Sequence, residues 1–294
     1  MKKILKKIPF LVWLNKKLQE LKNKFLLIKS NTFFNREITL INDLILYAPN
    51  TSKTFVGLEK EISNLTILSA KQVFPFLQHL IAKIDKNSIQ TITAEDFCDK
   101  FQGRQMSMKI KEHFDRYGCD KSLNHNYHFI YGTIINLIGN VSSMLEIGLG
   151  TTNTDVVSHM GKTWVPGASL RAFRDFLPNA IIYGADVDKR ILFEEERIKT
   201  YYVDQTDLNS FTILDNSINE KLDLVIDDGL HSPNANIAVI SFSINKLKKG
   251  GWIVIEDISF ESLTFWQVFS KILPLQYSSY VIKCNNGYAF AIQS

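Results

Sequence analysis

The sequence is poor in cysteine and has no long apolar run, and each shortage removes a class of protein. Three cysteines, Cys98, Cys119 and Cys284, are too few for a disulfide framework and too scattered for a CxxC metal site, which implies a reducing, cytoplasmic setting. No segment approaches the roughly 20 consecutive apolar residues of a spanning helix. The opening "MKKILKKIPFLVWLNKKLQELKNKFLLIK" has the charged start of a signal peptide. Its apolar run, however, extends only from Ile8 to Leu14, no small-residue cleavage site follows, and lysines resume at Lys16. Charge of one sign is also scarce: the net charge is +4 over 294 residues, and the first 29 residues hold nine lysines against one glutamate, so the remainder is slightly acidic. The later part of the chain has no basic stripe with interleaved aromatics, which disfavours a nucleic-acid partner. There is no internal repeat.

What is present is an ordinary globular composition, 45% hydrophobic and 22% charged, enough for one large core or a core domain with an appendage. Residues 1–105 read as a helical N-terminal unit, with apolar residues three and four apart in "LEKEISNLTILSAKQVFPFLQHLIAKI". Thr93 followed three residues later by Asp96 is a helix-start signal. The basic opening segment fits a solvated helix packed on its own domain. It also fits a surface helix that meets a membrane or a glycosyltransferase complex, with Phe10, Leu11 and Trp13 as a place for a homo-oligomer contact. Residues 106–142 form a polar connector rich in His, Tyr, Asp and Asn, suited to cover an active site. Over residues 143–294, short apolar runs recur with helices between them: Ser143 to Ile147, Ala180 to Ala185, Lys199 to Val203, Leu222 to Ile226 and Trp252 to Ile255. Two more, Ser279 to Cys284 and Tyr288 to Ile292, are joined by the turn Asn285-Asn286-Gly287 and read as an antiparallel hairpin. The expectation is an α/β, doubly wound, mostly parallel Rossmann-like sheet.

The strand ends carry the chemistry. Gly148 and Gly150 in "MLEIGLGTTN" let the backbone turn at the carboxyl end of a strand, where open α/β sheets bind ligands. An NAD fingerprint fits poorly: Asn153 replaces the third glycine, Glu146 precedes the turn, and Asp186 follows Gly150 by 36 residues instead of about 20. S-adenosylmethionine (SAM) suits the pattern better, with Asp186 facing ribose hydroxyls and Asp204 with Gln205 facing adenine. Two further strands end in acidic pairs, "LVIDDGLH" and "WIVIED". Hard oxygen donors of this kind suit Mg²⁺, with Mn²⁺ as a substitute. Asp227, Asp228, Glu256 and Asp257 are therefore the expected ligands. Neighbouring side chains diverge, so one of Asp227 and Asp228 is a ligand while the other caps a helix or touches the cofactor.

These motifs resemble class I SAM-dependent methyltransferases, and more narrowly the metal-dependent sugar O-methyltransferases of macrolide and surface-polysaccharide pathways. The matching segments are "RYGCDKSLNHNYHFIY", "LEIGLG", "PGASLRAFRDFLPNAIIYGADVD", "VDQTD", "IDDGLH" and "GGWIVIEDI", covering roughly residues 115–260. Leu230 stands where the family's "DDGSH" has serine. The resemblance implies methyl transfer from SAM to a hydroxyl of a small-molecule sugar or nucleotide-linked glycan precursor, assisted by a divalent cation. It makes His231 the general base beside Asp228. It places Glu146, Gly148, Gly150, Ser169, Arg171, Asp186, Asp204, Gln205 and Asp227 at the cofactor, with Arg171 either holding the cofactor carboxylate or packing as a helix-surface cation. His125, Tyr127 and His128 either close over the acceptor or form a surface loop. The competing readings are methylation of a phosphorylated or phosphate-derived capsule precursor, an NAD-binding oxidoreductase, and a silent Rossmann scaffold.

Overall fold

The computed structural model describes residues 43–50, 58–84 and 91–294. The basic opening segment, with Phe10, Leu11 and Trp13, lies outside them. The chain divides into two compact units, Met1–Leu77 and Gln78–Ser294. Among its described residues the first holds the 3₁₀ turn Ile45–Tyr47 and most of helix α1 (Glu59–Ile84). Glu59 and Glu61 in the first turn of α1 and Lys83 in the last oppose the helix dipole at each end.

The second unit continues with β1 (Thr91–Thr93), α2 (Ala94–Lys100), α3 (Arg104–Arg116), α4 (Asp120–Leu123), α5 (His128–Ile138), β2 (Ser143–Ile147), α6 (Ala168–Phe176), β3 (Ile181–Asp186), β4 (Glu194–Glu195) and β5 (Ile198–Tyr202). It ends with α7 (Leu208–Ser217), β6 (Leu222–Asp227), α8 (Pro233–Lys246), β7 (Leu247–Ile258), α9 (Leu263–Ile272), β8 (Ser278–Lys283) and β9 (Tyr288–Gln293). The nine strands form one sheet in the order β1-β8-β9-β7-β6-β2-β3-β5-β4. It is parallel except where β9 runs against β7 and β8 and where β4 runs against β5.

Period-two alternation along the buried strands sorts their side chains into two layers. Met144, Ile182, Leu224, Ile226, Trp252 and Val254 face the core shared with α2, α3, α5 and α6. Leu145, Tyr183, Val225, Ile253 and Ile255 face the core shared with α7, α8 and α9. Both faces are covered, which is why these strands are apolar throughout instead of alternating with polar residues.

The boundary expected at residue 105 moves. Thr91–Thr93 pairs with β8, and Phe97 on α2 packs edge-on against Trp252 and Tyr280, at 6.1 and 5.3 Å between ring centroids, so this segment belongs to the sheet unit. Thr93 caps α2, its Oγ1 accepting the Asp96 amide at 3.0 Å, a contact worth about 1 kcal/mol. The expected connector is largely helical, α3 to α5, and α3, α5 and α6 pack on the same core.

Strand order reverses direction between β2 and β6: the chain moves outward through β3 and β5 on one side and through β7 on the other. The loops after β2 and β6 therefore diverge at their carboxyl ends and leave a crevice there, the place where such sheets take their ligands.

Candidate active site

A cleft of about 520 Å³ opens at this reversal, within the range of small-molecule sites. Gly148 forms its floor with φ +95°. A Cβ there would lie 1.9 Å from the carbonyl oxygen of Asp228, so the residue after β2 must be glycine for the two loops to meet. The Asp228 amide donates to the Ile147 carbonyl at 2.7 Å and fastens them together. Gly150, φ +76°, lies further along the same wall.

Asp186, at the end of β3, lines the cleft and accepts the amides of Leu149 and Asp188, each at 2.8 Å. Burial raises its pKa against those hydrogen bonds. Asp188, which the motif reading passed over, accepts from Thr151 at 2.6 Å, from Asn153 at 2.7 Å and from Arg190 at 2.6 Å. The bond from Arg190 leads in holding this carboxyl well below the usual carboxylate range. Asn153, in the position of a third glycine, thus ties the loop to Asp188. Asp204 also lines the cleft and accepts from the Thr206 amide and hydroxyl. Gln205 beside it donates to Asp227 at 2.7 Å and accepts the Leu230 amide at 2.8 Å.

The two acidic pairs split, one member inward and one toward the cleft. Asp227 is the last residue of β6 and is fully buried, accepting from Gln205 and, at 2.8 Å, from Asn236 on α8. Burial pushes its pKa up to about 6 despite those two donors. Both expected roles for Asp227, cofactor contact and cation ligand, are therefore corrected: it is fully buried and does not line the cleft. Glu256 is likewise withdrawn from the expected ligand set. It points into the opposite layer, where Lys121 reaches it at 2.6 Å and the Tyr131 hydroxyl donates to its other oxygen. Burial and the Asp228 charge hold the Glu256 carboxyl well above its ordinary value, against the pull of Lys121.

The outward members meet a histidine. Asp228, His231 and Asp257 each offer one donor atom, and these atoms lie within 4.8 Å of one another. His231 (φ +54°) and Asp257 (φ +53°) both occupy the left-handed region, a costly conformation for residues with a side chain. A one-residue bulge between Ile255 and Ile258 accompanies this turn at Asp257. The Tyr127 hydroxyl donates to Asp257 Oδ1 at 2.7 Å. His125 Nδ1 is 3.3 Å from the same oxygen, and its ring stacks on Tyr127. His231 Nε2 is 3.8 Å from Asp257 Oδ2.

Other expected residues lie elsewhere. Arg171 binds Glu195 at 2.7 Å and covers the Phe193 ring at 4.3 Å, outside the cleft, because its position on α6 faces the β4–β5 hairpin. Ser169 and Glu146 bond each other at 2.6 Å beneath the cleft wall, and Glu146 also meets Lys121 at 3.0 Å. Burial raises the Glu146 carboxyl, with Lys121 opposing. His128 is turned into the protein beside Phe129, where burial first and the Lys111 charge second lower its pKa to about 4. Lys121, like Asp188, is a residue that motif reading missed. Burial works against its charge, but Asp228, Glu256 and Glu146 outweigh this and hold it well above the usual lysine value.

Counted from β5 across to β8, the sheet runs third, second, first, fourth, fifth, seventh, sixth, with the seventh strand antiparallel. That order, with the cleft at its point of reversal, is the class I SAM-dependent methyltransferase fold. No protein-family model matches the chain. In sequence it is similar to the 8-demethyl-8-alpha-L-rhamnosyl tetracenomycin-C 2'-O-methyltransferase of Streptomyces olivaceus, 28% identical over 155 residues, which are 52% of this chain and 38% of that one. It is 33% identical over 115 residues to the demethylmacrocin O-methyltransferase of Streptomyces fradiae, covering 39% of this chain and 27% of the relative. Among solved structures it is similar to the MycE methyltransferase of the mycinamycin pathway in complex with Mg and SAH. There the identity is 28% and the TM-score 0.42, over 50% of this chain and 39% of that one. The chain thus spans less than two fifths of the length of the curated relatives it matches.

Proposed function

We propose that the protein is a SAM-dependent O-methyltransferase that uses a divalent cation to methylate a hydroxyl of a sugar or glycan precursor. One observation carries the reading: the donor cluster Asp228, His231 and Asp257 opens into the same cleft as Gly148, Gly150, Asp186 and Asp204. The relatives' names support it: both are O-methyltransferases, and one acts on a rhamnosyl tetracenomycin.

The residues suit both SAM and a divalent cation. Each oxygen of Asp186 keeps a lone pair beyond its backbone bond, enough to accept ribose hydroxyls. Asp204 Oδ2 remains for the adenine amino group, since Oδ1 takes Thr206. The bare backbone at Gly148 lets a ligand sit against the β2 turn. Asp228 and Asp257 supply the hard oxygens that Mg²⁺ or Mn²⁺ requires. When bound, such a cation lowers the pKa of an acceptor hydroxyl and orients it. SAM would supply the methyl group, its carbon–sulfur bond breaking with the electrons kept on sulfur, and His231 is placed to take the proton of the attacking hydroxyl. Asp257, 3.8 Å from Nε2, stabilises the imidazolium that results.

Arg190 on the cleft wall is held by Asp188 and Asp155, at 2.6 and 2.9 Å, which supports a sugar hydroxyl over a phosphorylated acceptor. Asn153, in the position of a third glycine, is tied to Asp188, which supports SAM over NAD. Calorimetry with S-adenosylhomocysteine (SAH) and NAD, with and without Mg²⁺, tests the reading, followed by labelled SAM with a panel of glycosides and nucleotide sugars. Binding of SAH and cation-dependent methylation of a glycoside are expected. Binding of NAD in place of SAH makes the protein an oxidoreductase, and binding of neither makes it a scaffold.

A further inference from the structure

Lys121 sits on the short helix α4, ahead of the sheet, with its side chain 1% exposed. Its ammonium lies 3.0 Å from Glu146, 2.7 Å from Asp228 and 2.6 Å from Glu256. These three acids stand at the ends of β2, β6 and β7, so one cation gathers three neighbouring strand ends. A lysine suits the place because its ammonium donates to Asp228 and Glu256 and keeps its charge within ion-pair range of Glu146. Glu256 receives a second bond, from Tyr131, and Glu146 accepts one from Ser169. Both glutamates are buried away from the cleft. Asp228 differs. Its side chain is 24% exposed, its Oδ2 is pinned by Lys121, and Oδ1 has no protein partner among the described residues.

We propose that Lys121 is the positioning residue of the cation site, an inference that rests on the cation reading above. Its ammonium holds Asp228 by Oδ2, which leaves Oδ1 for the ion, and its charge is shared with Glu146 and Glu256, which are buried away from the cleft. Without it, three carboxylates face one another across the vacated space. Asp228, with an opening toward solvent, is the one that swings away.

Mn²⁺ binding, followed by the loss of the free-ion paramagnetic resonance signal, and SAH binding by calorimetry test this on the full chain without turnover. The double variant Lys121→Met/Glu256→Gln removes one charge of each sign and so leaves the net charge of the cluster unchanged, with Glu146 still bonded by Ser169. Its Mn²⁺ affinity is expected to fall by about tenfold or more, the usual effect of removing a partner that orients a metal ligand. Glu256→Gln alone keeps the Lys121–Asp228 bond, and its Mn²⁺ affinity is expected to stay within about threefold of the parent, as is SAH binding by both variants. Parent-like Mn²⁺ affinity in the double variant overturns the proposal, as does an equal loss in Glu256→Gln. If the double variant does not fold, Lys121→Arg, which keeps the charge but not the three-way geometry, is read by the same titrations. Parent-like affinity there overturns the proposal too. A parent that binds SAH but no Mn²⁺ removes the cation reading and this inference with it, whereas a parent that binds both, with an unaffected double variant, removes this inference alone.

Discussion

Replacing Gly148 by alanine strains the junction on which both halves of the cleft depend. The new Cβ would stand 1.9 Å from the Asp228 carbonyl oxygen and 2.4 Å from its carbon. Contacts under 3.0 Å are essentially never seen, so the β2 and β6 loops must part by about 1 Å. Two costs follow. A side chain at φ +95° is strained by about 1–2 kcal/mol, and loosening the 2.7 Å bond from the Asp228 amide to Ile147 loses about 1 kcal/mol. The sum, about 2–3 kcal/mol, should appear as a lower urea midpoint with an unchanged slope. Function should suffer more than stability, because a displacement of about 1 Å at reacting groups costs on the order of 10²-fold in turnover. The parted loops also carry one wall of the cofactor edge, so SAH affinity should drop by about tenfold in calorimetry. A folded Gly148→Ala protein that loses under about 1 kcal/mol and binds SAH within about twofold of the parent would refute the close-packed junction.

His231→Ala is expected to lower turnover by about 10² to 10⁴ while leaving SAH and Mn²⁺ affinities nearly unchanged; if Mn²⁺ affinity collapses with turnover, His231 is a ligand and not the base. Asp186→Ala should weaken SAH binding by about tenfold or more, whereas Arg171→Ala should leave it within about twofold, since Arg171 pairs with Glu195 outside the cleft. Equal losses in calorimetry would return Arg171 to the cofactor. For His128 the folded pKa, about 4, lies below its ordinary 6.5, so the unfolded chain binds the extra proton between these values. Stability is then fully present above pH 6.5 and is lost as pH falls toward 4. A displacement of this size corresponds to about 3 kcal/mol, reduced to about 2 by solvent screening. Urea titrations at several pH values should show that slope in the parent and a flatter one in His128→Phe.

The sheet was legible because its strands are buried on both faces and leave uninterrupted apolar runs, and because acids and glycines stop those runs at the cleft. Seven strands were read within a few residues of where they lie. The two short strands were not: Thr91–Thr93 and Glu194–Glu195 carry too few residues for a period and owe their form to pairing with β8 and β5. The acidic pairs were recognised as a feature, but which member faces the cleft depends on strand parity and on the bulge before Ile258, and a bulge leaves no mark in composition. Arg171 was left between cofactor contact and helix-surface cation because position on a helix after a cofactor loop does not say which face it occupies; the structure pairs it with Glu195. Lys121 was invisible for a different reason. A lysine in a polar stretch is normally solvated, and what buries this one is the convergence of Glu146, Asp228 and Glu256 from distant parts of the chain.

The turn Asn285-Asn286-Gly287 has a meaning beyond reversing the chain. The Asn285 amide donates to the Asn126 side chain at 3.1 Å, and the Asn286 side chain donates to the Asn124 carbonyl at 2.9 Å, on either side of His125. The hairpin therefore latches the loop whose neighbour Tyr127 holds Asp257. In the proposed function His125 and Tyr127 belong to the acceptor rim; they precede β2, and their clasp comes from the hairpin that follows β7. Closing so long a loop is entropically slow, so the cofactor edge, built from β2, β3 and β5, should gain its form while the rim is still open. A chain caught at that stage would hold the methyl donor's wall without a finished place for the acceptor.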